Sequence, residues 1–124
     1  MNDLVRRLAI GTCLAIAANA ACAGEGLIGP VYIKAVGYIA QNDLGHKAGN
    51  FELTMAAPFT LPSGVNCDTV YITTMAVNDP DKKMFALTTT AQLTRSPVML
   101  QISDAASLNA FPGRCSLIDV TITQ

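Results

Sequence analysis

At 124 residues, 51% hydrophobic and 14% charged, the chain has the composition of one globular domain rather than a disordered or fibrous one. Its formal net charge of −1 excludes the basic footprint of a nucleic-acid binder and the polybasic stripe that anionic lipid attracts. Trp is absent and aromatics make up 6%, and no internal repeat, low-complexity tract or linker divides the chain.

The first 23 residues read as an export signal. Arg6 and Arg7 supply the positive start, and Leu8 to Ala18 form a short apolar core. Ala21 and Ala23 then stand at the −3 and −1 positions of a cut before Gly24. A transmembrane anchor would need about 20 strongly apolar residues, more than this Ala- and Gly-rich run supplies. The arginine pair also fits twin-arginine export, and a cut after Ala20 is the alternative to the cut before Gly24. Cysteine parity favours the cut before Gly24, because it removes Cys13 and Cys22 and leaves two, Cys67 and Cys115. In an exported chain such a pair reads as one disulfide, and a loop of that length would stabilise by roughly 3–4.5 kcal/mol. Residues 24–124 would then form one mature domain, secreted or periplasmic, with six Lys/Arg against eight Asp/Glu.

Five segments of that domain carry strand patterning. The first, Val31 to Ala40, is long and contains Gly37, which suggests a bend or bulge. The second is Phe51 to Ala56 and the third Thr69 to Met75. The fourth, Val98 to Ser103, sets Val98, Leu100 and Ile102 against Met99 and Gln101. The fifth, Leu117 to Ile122, alternates with Ile118, Val120 and Ile122 expected to be buried.

Between the third and fourth strands, Asp79 suits an N-cap, Pro80 the first helical position and Asp81 the first turn. Arg95 falls in the last turn, and Ser96-Pro97 stops the helix. Met84, Leu87 and Ala91 make the expected buried stripe, while Ala86 and Leu93 project to the opposite side and Phe85 to a flank. The competing reading is a strand, because "LTTT" holds three consecutive β-branched residues. The cap and stop signals favour the helix.

The element order is strand-strand-strand-helix-strand-strand. That order predicts a mainly β protein, a five-stranded OB-like Greek-key barrel with its helix between strands three and four. The cysteines agree, since they precede the third and fifth strands, which lie side by side in such a barrel within disulfide reach. A β-sandwich is the alternative and leaves the helix without a reason.

Chemistry is sparsely marked. His46 is the single histidine of the mature domain and its only obvious general base, and no second His or spare Cys joins it as a metal ligand. No G-x-S-x-G nucleophile elbow, P-loop or dinucleotide fingerprint occurs. Catalytic residues, metal and cofactor are therefore all expected to be none. OB-folds bind ligands with the loops after strands one and four. Here these loops offer Asn42, Asp43, His46, Asn109, Phe111 and Arg114, amides and charges beside one aromatic plate, as glycan contacts.

An export signal, a mature chain of about 100 residues, one disulfide and the unit "DKKMFALTTTAQLTRSPVMLQIS" together resemble the B subunits of AB5-type bacterial toxins. The pertussis- and subtilase-like group is closest in pattern, over residues 67–122. The resemblance implies an OB-fold, a ring-shaped homo-pentamer and a cell-surface glycan as ligand, and Phe85, Ala86 and Leu93 become candidate subunit contacts. The leading expectation is an exported, non-catalytic binding module with no nucleic-acid partner and no membrane insertion after cleavage. A periplasmic structural or inhibitory protein that binds another protein is the alternative, and a small hydrolase comes third.

Overall fold

A computed structural model describes residues 23–124. Residues 1–22 of the expected export signal lie outside the described residues. The chain is mainly β, with strands β1 (Glu25–Val31), β2 (Ile33–Tyr38), β3 (Phe51–Met55), β4 (Tyr71–Thr74), β5 (Val98–Ser103) and β6 (Ser116–Ile122). One helix, α1 (Lys83–Thr94), stands between β4 and β5. Short 3₁₀ turns occupy Ala76–Asn78 and Ala106–Leu108.

The strands make two three-stranded antiparallel sheets, β1-β5-β6 and β2-β3-β4. Tyr32 alone separates β1 from β2, so one nearly continuous run of chain serves both sheets. The sheets meet again at a parallel bridge between Ile72 and Cys115, where the Thr73 N–H donates to the Cys115 carbonyl at 3.0 Å. Cys67 and Cys115 are disulfide-bonded at this same place, with Cα atoms 5.5 Å apart. Leu53 and Ile72 of one sheet and Val98, Leu100 and Ile102 of the other are fully buried in a shared core.

Three irregularities change the expected alternation. The first predicted strand is two strands, and it starts six residues earlier, at Glu25. Its first part is rich in Gly and Pro because β1 runs close to its neighbours: a side chain at Gly26 would overlap the Pro62 ring. Within β2 the register slips between Ile33 and Ala35, so Ile33 and Val36 face the core and Ala35 is exposed. The bulge sits there and not at Gly37, which pairs regularly with Glu52. In β6 a second slip opposite Gln101 and Ile102 leaves Ile118 exposed and buries Leu117 in its place. An extra residue in one strand reverses which neighbours point inward.

The helix forms as expected, but it starts and faces differently. Its first residue is Lys83, preceded by Lys82 in the left-handed region at φ 54°. Asp79 still caps it from a distance: its two carboxylate oxygens accept the Met84 and Phe85 N–H groups at 3.0 and 2.9 Å. The β-branched run is accommodated because Thr88, Thr89 and Thr90 donate their hydroxyls to backbone carbonyls one turn earlier. At the far end Arg95 takes the left-handed position usually held by glycine, and the Ser96 N–H reaches back to the Ala91 carbonyl at 2.9 Å.

Thr88 and Ala91 are buried, flanked by half-buried Met84 and Phe85. The expected stripe is therefore displaced. Leu87 is 42% exposed and belongs to the outer face with Ala86 and Leu93. Phe85, expected on a flank, packs edge-on against Tyr38 and Phe51 instead.

Candidate functional site

Two regions combine polar and aromatic side chains, and the β2-β3-β4 sheet connects them. The first is built from the two loops singled out in the sequence. In the loop after β2, Asp43 and His46 exchange backbone hydrogen bonds, and Leu44 and Gly45 between them have φ of 47° and 87°. Positive φ at both central residues defines a type I′ turn. The turn holds the His46 imidazole against the Phe111 ring, with centroids 4.5 Å apart and planes tilted by 30°.

Phe111 is positioned by its own loop, where the Asn109 side-chain carbonyl accepts the Phe111 N–H at 3.0 Å. The Arg114 guanidinium lies between two rings, 4.2 Å from Phe111 and 4.5 Å from Tyr71. It pairs with Glu52, which projects from β3 opposite Thr73. The Thr73 hydroxyl donates to the same Glu52 oxygen at 3.2 Å, and His46 Nε2 stands 3.9 Å from it. His46, Glu52 and Arg114 are each about one-fifth exposed at the side chain.

His46, Phe111 and Arg114, which are 65 or more residues apart except for the last two, thus converge as the loop reading anticipated. The Arg114 guanidinium is engaged by Glu52 and the two rings, whereas His46 is held by its stack on Phe111 and its buried Nδ1 has no hydrogen-bond partner among the described residues. Cation–π contacts of this kind contribute about 0.5–2 kcal/mol each, and the Arg114–Glu52 pair forms at a site partly shielded from water. Asn42 and Asn109 accept backbone N–H groups at 2.9 and 3.0 Å within their own loops, while Asp43 is exposed beside the turn. The cluster welds two loops onto the sheet. Glu52, Tyr71 and Thr73 were not expected here. A charge at alternate position in β3 was visible in the sequence, but its partners depend on strand register.

The second region is a cleft of about 250 Å³ where the end of β2 and the start of β3 meet the N-terminal end of α1. Tyr38, Phe51, Phe85 and Pro80 supply its apolar walls, Gly49 and Ala76 its narrow side, and Asp79 and Lys82 its polar groups. Tyr38 is half exposed, and its ring meets the Phe85 edge at 6.2 Å. The Lys82 ammonium stands over the same ring at 5.3 Å. Asp79 is 6% exposed and its oxygens are held by the helix, so the carboxylate shapes the cleft floor. Unlike the loop cluster, this region leaves the half-exposed Tyr38 ring and the exposed Lys82 side chain in contact with solvent. Of the residues expected from sequence to make ligand or subunit contacts, Phe85 alone lines it, while Asp79 and Pro80 reach it as the expected helix-start residues.

Among the described residues no group of three or more His, Cys, Asp or Glu converges as a metal cage. No described helix is long and apolar enough to cross a membrane. Comparison with known protein families, with curated proteins and with solved structures returns no match.

Proposed function

We propose that the chain is an exported, non-catalytic binding module of OB-like architecture that holds a carbohydrate ring in the Tyr38–Phe85 cleft. Support for the barrel comes from three links between the sheets: the shared run through Tyr32, the parallel bridge at Cys115 and the disulfide beside it. Support for a secreted or periplasmic location comes from the disulfide and the export-signal pattern.

The observation that carries the ligand reading is the exposed Tyr38 ring, which forms one wall of a cleft large enough for a single sugar. A pyranose presents an apolar face suited to an aromatic plate, and its hydroxyls suit the Lys82 ammonium and the backbone polar groups beside Gly49. The test is a glycan array on folded protein, followed by calorimetric titration of any hit. Tyr38→Ala is expected to weaken binding at least tenfold while thermal stability stays nearly constant. A blank array on well-folded protein would sink the carbohydrate reading.

A homo-oligomer is the companion proposal. No charged residue occurs between Met84 and Thr94, and the outer face of α1 exposes Ala86, Leu87 and Leu93, with Leu93 73% exposed. Surface helices ordinarily carry charge on that face, and a symmetric self-contact would cover it. The toxin resemblance implies a pentameric ring. Size-exclusion chromatography with light scattering tests it: a species of several chains is expected, and a strict monomer at high concentration excludes it.

A further inference from the structure

We propose that cleavage before Gly24 creates an α-ammonium that Asp104 captures, so that export processing adds an ion pair to the folded domain. The inference rests on the expected cut and goes beyond ligand binding. In the structure the Gly24 N–H donates to Asp104 Oδ1 at 2.6 Å, and the Asp104 N–H donates back to the Gly24 carbonyl at 3.0 Å. The second carboxylate oxygen of Asp104 accepts the Asn66 N–H at 2.8 Å. The nitrogen of residue 24 is thus a fixed point at the start of β1, where Glu25 pairs with Ser103.

Residue identity is constrained at the same place. A β-carbon on residue 24 would overlap the Gly64 carbonyl. Glycine is therefore required by close approach, at the residue where the sequence pattern independently puts the cut.

Hydrolysis of the Ala23–Gly24 amide by an export-processing peptidase adds water across the bond. Ala23 leaves as a carboxylate, and the Gly24 nitrogen keeps the bonding electron pair and takes up protons to become an ammonium. An α-amino group is protonated at neutral pH, with an ordinary pKa of about 7.7–8.0. The atom that donated a neutral amide hydrogen bond to Asp104 then donates as a cation, and charge-assisted bonds are about twice as strong as neutral ones. A cut at Ala21 would place the new charge three residues away from this carboxylate.

Two measurements test the proposal. Intact mass of the exported protein is expected to show a start at Gly24, and a start at Ala21 would overturn the processing half. For the capture half, mature protein with a free Gly24 amine is compared with the same protein N-acetylated, which keeps the amide donor and removes the charge. The free form is expected to unfold about 4 °C higher, and the difference is expected to vanish in Asp104→Asn. Equal midpoints for the free and acetylated wild-type forms would overturn capture whatever the cut site. Should Asp104→Asn fail to fold, acylation kinetics of wild-type protein replace it. The Gly24 amine is then expected to react more slowly in the folded protein than in urea-unfolded protein, and equal rates would overturn capture.

Discussion

The loop cluster around Glu52 and the cleft beside Tyr38 flank the same sheet, yet they use similar residues to opposite ends. In the cluster, histidine, arginine, tyrosine and phenylalanine are stacked in contact, with one carboxylate joining them. In the cleft, tyrosine and phenylalanine meet only at an edge, and a lysine stands over an exposed ring. The lesson is that residue type nominates a site, whereas unfilled contact area decides whether anything else can bind there. A guanidinium already between two rings has little left to offer a ligand.

Three perturbations would sharpen or break this contrast. The largest effect is expected from Cys67→Ala with Cys115→Ala, which opens a loop spanning 48 residues and should cost about 4 kcal/mol in urea unfolding. Because the disulfide lies near the loop cluster, cluster geometry should loosen while the Tyr38 environment changes less. Proton NMR of the His46 and Tyr38 rings would reveal the reverse if the contrast is mistaken.

Next comes Arg114→Ala, which leaves the Glu52 carboxylate without its cation. The expected loss is about 2 kcal/mol of stability, with ligand affinity per folded molecule unchanged. Arg114→Lys should recover only part of it, since an ammonium cannot stack flat between two rings. A large affinity loss at unchanged stability would make the cluster, rather than the cleft, the binding site.

Smaller still is Asp79→Ala, expected to cost about 1 kcal/mol through the two lost capping bonds. Here the consequences should extend to the cleft, because Asp79 fixes the helix end that forms its wall. Chemical denaturation and titration on the same variant would separate the two effects.

Much of the architecture was legible in the sequence. The pattern bounds Val98–Ser103, sets the helix between the strands that flank it and pairs the two cysteines, all as found in the structure. The reasons are local or combinatorial: strict alternation, stop signals and parity. What escaped was relational. β1 resembles a loop because Gly26 and its neighbours answer to Pro62, far along the chain. The slips near Ala35 and Ile118 are invisible to a period-two pattern, which they reverse. For the site, loop position was enough to bring His46, Phe111 and Arg114 together. Glu52, Thr73 and Tyr71 join them through the β3–β4 register, and Tyr38 meets Lys82 only through the placement of α1.

The disulfide also determines what a protease can accomplish. Its covalent loop runs from Cys67 to Cys115 and contains β4, α1, β5 and the exposed turn at Val77. A single cut at Val77 would open the backbone without releasing a fragment, since both new ends remain tethered through the sulfurs. The nicked protein would run as one piece until reduced. Damage at this exposed turn would therefore leave the parts of the domain together.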